Sequence, residues 1–290
     1  MSDFPRMLGI AVMLTTSSLA CGQASAAHLF VSPFGNDGTG TGSANAPFLT
    51  LQGAVNDAQS GDVIQLEMGG NYGGAVINNK TLTILSTEGG GVIEPGVGGI
   101  VFNGAGGNDI LTIRGLTIDQ AGSANNGIVF NSGRKLNVFD SFIQNGSGAA
   151  SGIFFQPNDA VSELNVRNTV ISEFGTSGVG AGIRIAPRAG GDVDVAIEDV
   201  AAYNSRTGIS STAGAGSFID ALYKNLLASG GGIGVSSAGA GSTVRLADST
   251  IANNATGLSH PGTAKLISVG GNAVRQNTVN GTFTATEAKQ

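Results

Sequence analysis

The chain has 290 residues, a formal net charge of −6 and only 12% charged residues. Its 14 lysines and arginines against 20 aspartates and glutamates exclude the basic surface with which proteins bind nucleic-acid phosphates. The 48 glycines and the lack of tryptophan are typical of disorder, but hydrophobic residues make up 41% and recur periodically, which favours a folded core.

The first 26 residues have the pattern of a secretory signal peptide. Arg6 precedes the apolar stretch 7–20, and residues 24–26 form a cleavage site of small residues. The stretch is shorter than the roughly 20 apolar residues of a membrane span, and no later segment reaches that length. We therefore expect an exported protein, periplasmic or extracellular, without a membrane span. Cleavage removes Cys21, the only cysteine, whereas a lipoprotein acylated at Cys21 is the alternative.

Residues 27–61 are predicted to form an N-terminal cap of a strand, a loop and a helix. Residues 30–32 have strand character and precede a glycine-rich loop. Thr50 is of the N-cap type, and apolar residues recur after it at helical spacing, which predicts a helix over 51–59. At the other end, residues 281–290 are predicted to be a polar tail.

The body of the chain, residues 62–280, repeats a Gly-Ile pair at intervals of 24 to 30 residues. The pairs begin at Gly99, Gly127, Gly152, Gly182, Gly208, Gly232 and Gly257, with leucine in place of isoleucine in the last. Such a period is typical of stacked-repeat proteins, and each repeat holds three stretches with the alternation of a half-buried strand. The sequence therefore predicts an all-β, single-domain parallel solenoid with three sheets and about eight coils. The isoleucines stack inside it, and so do Phe102, Phe130 and Phe155.

A second column recurs between two strands of each coil. Its members after Gly115 are Asp140, Asn168, Asp199, Asn225 and Asp248. Glycine, asparagine and aspartate tolerate the left-handed backbone region, so the column predicts a sharp bend. We interpret these carboxylates as structural rather than catalytic.

The Gly-Ile pairs, the bend column and an opening segment resemble a known family. The motifs of the opening segment are Phe30-Val31-Ser32-Pro33, Gly35-Asn36-Asp37, Pro47-Phe48 and Gly61-Asp62-Val63-Ile64. Together these features are similar to the exported right-handed parallel β-helix proteins of the pectin-lyase-like superfamily, over roughly residues 28–280. The resemblance implies a right-handed β-helix with a short N-terminal capping helix, and sugar as the ligand class. That superfamily includes lyases, hydrolases, esterases and phage tailspikes, so the fold alone does not assign an activity.

The resemblance to pectate lyases also implies a calcium-binding carboxylate cluster and a basic residue, for which Arg184 and Arg167 are candidates. Pectin hydrolases instead carry aspartates with a histidine, and His260 has no aspartate pair nearby. We predict no metal and no cofactor, with calcium entering only if the lyase alternative holds. The catalytic residues stay unassigned, and the prediction leans towards a non-enzyme.

Two outward-facing columns supply candidate ligand-binding residues. Phe154 and Arg184 lie in neighbouring coils, and an aromatic ring beside a guanidinium suits a sugar ring with its carboxylate. Arg167, Glu198 and Lys224 precede the bend in three successive coils, where they also fit a salt-bridged, solvated face.

Since the resemblance implies a sugar ligand, and these columns could hold one, we expect the protein to engage extracellular or cell-envelope polysaccharide along one elongated face, without strong catalysis. One alternative is a polysaccharide lyase or related carbohydrate-active enzyme. The other is a structural or adhesive surface protein that binds a protein partner. The sequence leaves the oligomeric state open.

Overall fold

The computed structural model describes residues 25–67, 69–86, 91–93, 98–105 and 107–288. Residues 1–24 of the predicted signal peptide, Cys21 among them, lie outside the described residues. One helix, α1 (Leu51–Asp57), follows the first strand. The strands in chain order are β1 (His28–Val31), β2 (Val63–Leu66), β3 (Gly70–Asn71), β4 (Ala75–Asn78), β5 (Leu82–Ser86), β6 (Gly91–Ile93), β7 (Ile100–Asn103), β8 (Ile110–Arg114), β9 (Thr117–Asp119), β10 (Ile128–Ser132), β11 (Lys135–Phe139), β12 (Phe142–Gly146), β13 (Ile153–Phe155), β14 (Val161–Phe174), β15 (Ile183–Ile185), β16 (Asp192–Tyr203), β17 (Thr207–Thr212), β18 (Phe218–Lys224), β19 (Leu227–Ser229), β20 (Ile233–Ala238), β21 (Ser242–Ala247), β22 (Thr250–Ala252), β23 (Thr256–Ser259), β24 (Lys265–Ser268), β25 (Ala273–Arg275) and β26 (Ala285–Thr286).

These strands pair in parallel and form a right-handed β-helix of about seven turns with three faces. Face A is the eight-stranded sheet β4-β7-β10-β13-β15-β17-β20-β23. Face B runs β1-β2-β5-β8-β11-β14-β16-β18-β21-β24-β26, and face C runs β3-β6-β9-β12-β14-β16-β19-β22-β25. Faces B and C belong to one hydrogen-bonded sheet because β14 and β16 continue through the bend. The predicted all-β solenoid with a short helix near its start is confirmed.

The bend between faces B and C is made by residues in the left-handed backbone region. Gly115 has a φ of 68°, and the five Asp and Asn residues that follow it in the column have φ between 48° and 55°. This backbone conformation is the one that glycine, asparagine and aspartate tolerate best. The column therefore turns the chain at the same place in successive coils.

The inward side chains of face A stack coil upon coil. Ile128 is paired with Ile100 and Ile153, and the column continues through Ile183 and Ile209, all with no exposed surface. Next to it, the rings of Phe102, Phe130 and Phe155 lie 5.3 and 4.8 Å apart between successive centroids. Fully burying such a side chain stabilises the fold by about 1.5–3 kcal/mol, so the stack accumulates stability over the coils.

One rung of the predicted isoleucine stack is wrong. Ile209 is paired with Val235, which is paired with Leu258, whereas Ile233 lies two residues earlier and is paired with Thr207. Val235 has no exposed surface, while Ile233 is half-buried. The register follows the glycine that precedes each inward residue. Gly234, rather than Gly232, stacks on Gly208, so the residue after it, Val235, takes the inward place predicted for Ile233.

The glycines of the repeated pairs allow the coils of face A to approach closely. An ideal Cβ on any of five of them would lie only 2.5–2.7 Å from the carbonyl oxygen of the next glycine of the column. These five are Gly127, Gly152, Gly182, Gly208 and Gly234. Because real Cβ atoms essentially never come within 3.0 Å of another heavy atom, a side chain at any of them would push two coils apart.

The core changes character towards the C-terminal coils. The column of Phe155 and Ile185 continues with Ser211, which is too small to fill the same space. Tyr223 of face B fills it instead, and its hydroxyl lies 2.5 Å from the Ser211 hydroxyl. Both residues are fully buried, and burial raises the pKa of the Tyr223 phenol above its usual range.

Helix α1 covers the first strand of face A. Thr50 is its N-cap, accepting a hydrogen bond from the Gly53 N–H at 3.0 Å. The helix ends at Asp57 rather than at residue 59, because Ala58 adopts an extended backbone. Gln52 extends from it to the free edge of β4, where its side-chain oxygen accepts from the Val76 N–H at 2.8 Å and its amide group donates to the Val76 carbonyl at 3.3 Å.

At the other end of the solenoid, β26 pairs with β24, so a short strand lies within the segment predicted as a polar tail. Phe283, just before that strand, packs against the core. Over the parts of the chain that the structure describes, no helix combines the length and hydropathy needed to cross a membrane.

Candidate functional site

Phe154 and Arg184 point outward from neighbouring strands of face A. They are paired in register between β13 and β15, and the Arg184 guanidinium carbon lies 4.5 Å from the centroid of the Phe154 ring. Both side chains are half-buried, and burial lowers the pKa of the Arg184 guanidinium. Arginine nevertheless stays charged at neutral pH. Within the described ranges, the guanidinium donates no hydrogen bond, so its donors are available to a ligand.

Arg184 is the only charged residue in the eight strands of face A, all of which the structure describes. Along the outward column that contains it, valines precede Phe154 and serines follow Arg184. The members are Val76, Val101, Val129, Phe154, Arg184, Ser210, Ser236 and Ser259. The sequence spacing predicts Gly234 next to Ser210 in this column, but Ser236 takes that place, for the same reason that Val235 replaces Ile233. In a chain of net charge −6, face A therefore offers one cation and no carboxylate within its strands.

A row of carboxamides lies beside the Phe154 column. Asn103 donates to Asn78 at 2.9 Å, Asn131 donates to Asn103 at 2.9 Å, and Gln156 donates to Asn131 at 2.8 Å. Each of these bonds uses one of the two amide hydrogens, so the other remains for sugar hydroxyls. We call Asn78, Asn103, Asn131 and Gln156 the amide row. This row is not among the predicted sites, although Ile-Val-Phe-Asn recurs at 100–103 and 128–131 and signals its first steps.

The other candidates, Arg167, Glu198 and Lys224, lie on face B in successive strands, as the register shows. Glu198 pairs with Lys224 at 2.7 Å, and the hydrogen bond and charge of Glu198 raise the pKa of Lys224. Arg167 does not join this pair. Its guanidinium lies 5.4 Å from the ring centroid of Phe139, a second aromatic–arginine contact. The five candidates thus divide between two faces.

The carboxylates of the bend column have backbone and side-chain roles. Asp140 accepts from the Asn168 amide at 2.9 Å and pairs with Arg114 at 2.9 Å. The Asn168 hydrogen bond and the charge of Arg114 hold the pKa of Asp140 below its usual value. Asp199 accepts from Asn225 at 2.6 Å in the same way. These contacts link neighbouring coils at the surface.

A calcium-dependent lyase would need several carboxylates around one ion. Among the residues that the structure describes, no three His, Cys, Asp or Glu side chains are placed to share a metal ion. The described residues therefore do not fit a calcium site of this kind.

The right-handed parallel β-helix is the fold class that this architecture defines. A solved structure with this fold, the crystal structure of pectate lyase Pel9A, superposes with a TM-score of 0.59 and 14% sequence identity. The match covers 84% of this chain and 68% of that protein. No protein-family model matches the chain, and no curated protein matches its sequence. The shared property is the right-handed parallel β-helix fold, as the sequence resemblance predicted.

Proposed function

We propose that the protein is exported and binds an acidic polysaccharide along face A, without strong catalysis. One observation carries the proposal. The only charged side chain of the sheet, Arg184, is stacked on an aromatic ring and keeps its hydrogen-bond donors unused among the described residues. A guanidinium binds a carboxylate through two parallel hydrogen bonds, and the Phe154 ring offers an apolar surface to a sugar ring.

The amide row extends this site along the axis of the solenoid. Successive strands lie about 4.8 Å apart, so the row from Asn78 to Gln156 presents amide groups at regular intervals beside Phe154. Carboxamides both donate and accept hydrogen bonds, which suits the hydroxyls of a sugar chain. The likeness in fold to a pectate lyase supports a polymer of uronic acid as the first ligand to test.

The test compares polygalacturonate with its methyl-esterified form, in which the carboxylates are neutral. We expect the acid form to bind and the ester to bind at least about tenfold more weakly, because the ester loses the charged partner of Arg184. Arg184→Gln and Phe154→Ala should each weaken binding of the acid form. Arg114→Gln, which removes an exposed arginine from face B, is the matched control and should bind like the parent. Unchanged binding in the Phe154→Ala, Arg184→Gln double variant would refute the proposal.

A lyase is the second candidate, and the likeness in fold to a pectate lyase is the observation that favours it. Arg184, the charged residue of the face A strands, is the candidate base that would remove the proton beside a uronate carboxyl. The same polymer, followed by ultraviolet absorbance for unsaturated products, separates the two functions. Absorbance that rises with the parent and not with Arg184→Gln would establish the lyase in place of the binding protein.

A further inference from the structure

A second concave site lies on face B, on the opposite side of the bend from face C. Its centre is Ala196, an exposed alanine on the outer surface of β16. The neighbouring strands place Asn165 and Leu222 on either side of it. Because an alanine stands between two longer side chains, the surface is hollow there. Two depressions of about 230 and 190 Å³ meet at this point, and both are lined by Asn165 and Ala196.

The two ends of this hollow carry opposite charges, a carboxylate at one end and a guanidinium at the other. On the N-terminal side of the strands, Glu163, Asp194 and Asp220 are paired in register. Glu163 is neutralised by Arg134 and Lys135, each at 2.5 Å, and Asp220 by Arg245 at 2.5 Å. For Asp194, between them, the described part of the chain supplies neither a hydrogen bond nor an ion pair. Asp194 is therefore the carboxylate at this end that can receive a cation.

The cation at the other end is Arg167. Its strand neighbour Glu198 is already neutralised by Lys224, so it does not compete for the guanidinium. The Phe139 ring supports Arg167 from beneath, and the guanidinium donates no hydrogen bond to any described residue. Arg167 and Asp194 thus line the two depressions on either side of Ala196, four residues apart along the strand direction, or about 13 Å between their backbone levels.

We propose that this hollow binds a short zwitterion, with its ammonium group at Asp194, its carboxylate at Arg167 and its apolar body over Ala196. A hydrogen bond of about 2.9 Å at each end leaves about 7 Å of this separation for the ligand, so the ligand must separate its charges by more than a single α-amino acid does. A dipeptide is the simplest ligand of this kind, because its termini lie about 7 Å apart when it is extended. The Phe139 ring and Leu222 flank the body of the ligand, and Asn165 can hydrogen-bond its peptide group.

The experiment measures binding of dialanine to the purified protein by calorimetry, with N-acetyl-dialanine and dialanine amide as matched ligands that each lack one charge. We expect saturable binding of dialanine and at least about tenfold weaker binding of either derivative. Asp194→Asn should weaken binding of dialanine about tenfold but leave that of N-acetyl-dialanine unchanged. Arg167→Gln should likewise weaken binding of dialanine about tenfold but leave that of dialanine amide unchanged.

Ala196→Leu tests the hollow itself, since leucine fills it without altering a charge. This position is exposed, so the substitution leaves the core intact, and circular dichroism checks the fold. Binding should be lost in Ala196→Leu and kept in Ala201→Leu, an outward alanine of the same strand on face C. The proposal is overturned if dialanine shows no saturable binding to the parent, or if Ala196→Leu binds it as the parent does.

Discussion

The glycine column of face A makes a quantitative prediction for Gly208→Ala. An ideal Cβ at Gly208 lies 2.5 Å from the Gly234 carbonyl oxygen and 3.2 Å from the Ala228 Cβ. Carbon–oxygen contacts across parallel strands normally measure about 3.3–3.6 Å, so the two coils must separate by roughly 0.8 Å. β17 is paired on both sides, by β15 and β20, so it cannot shift without disturbing one of them.

Overpacking of this kind typically destabilises a protein by about 1–3 kcal/mol. Replacing glycine with alanine also restricts the unfolded chain, which stabilises by about 0.4–1 kcal/mol when the native backbone is unstrained. The clash is the larger effect, so we expect Gly208→Ala to lower the free energy of unfolding by about 1–2 kcal/mol. Urea unfolding followed by circular dichroism measures this difference.

Gly214→Ala is the matched control. Its Cβ would meet nothing closer than the Pro187 carbonyl oxygen at 3.8 Å, an ordinary contact, and its φ is not in the left-handed region. Only the effect on the unfolded chain remains, so this variant should be as stable as the parent or slightly more stable. If the two variants unfold at the same urea concentration, close coil contact is not the reason for the repeated glycine.

Three further substitutions test the core and the bend. Ile153→Asn places an amide in a fully buried stack and should lower the unfolding free energy by at least about 3 kcal/mol; a parent-like thermal midpoint would contradict the register. Tyr223→Phe leaves the Ser211 hydroxyl unpaired and should destabilise by about 1–3 kcal/mol, whereas adding Ser211→Ala should recover part of the loss; strictly additive effects in urea unfolding would argue against the buried pair. Asp140 has a lowered pKa in the folded protein, so its contribution to stability is complete above its unfolded pKa of about 3.9 and is lost as the pH falls through the folded value. Asn168→Gly keeps the bend but removes the hydrogen bond and should raise the pKa of Asp140, as measured by NMR titration; an unchanged pKa would show that this bond has no part in the shift.

The solenoid could be predicted because its two strongest signals are local. Alternation of apolar and polar residues indicates a half-buried strand, and a residue such as Asn168, which tolerates positive φ, indicates a bend. Both signals recur in each coil, so their spacing indicates which strands become neighbours. Helix α1 was predicted from another local signal, the N-cap Thr50 and the apolar spacing behind it, and only its C-terminal end differed.

The prediction placed Ile233 in the inward stack where the structure has Val235, and this error shows the limit of such patterns. A shift of two residues leaves the same side chains inward and outward, so alternation alone does not distinguish the two registers. The segment from Gly230 to Gly234 offers a glycine before either candidate. The contact that decides between them, Gly208 against the Gly234 carbonyl, joins residues 26 positions apart and is visible only in the structure.

The candidate sites were predictable to different degrees. Phe154 and Arg184 are aligned by the repeat, so their contact follows once the register is known. The choice of Glu198 for Lys224 rather than Arg167 depends on side-chain rotamers, which the alignment of Cα atoms does not determine. The hollow at Ala196 arises because alanine is shorter than its neighbours Asn165 and Leu222. A single small residue on an outward face does not stand out in a sequence pattern.

Gln52 has a consequence for how copies of the protein could associate. Its carboxamide takes the place of a peptide group and occupies both the N–H and the carbonyl of Val76 on the outermost strand of face A. A strand from another molecule cannot bond to Val76 while Gln52 stays there. Open head-to-tail filaments need both ends of a solenoid to accept a neighbour, so this one glutamine disfavours fibre growth from the helix-covered end.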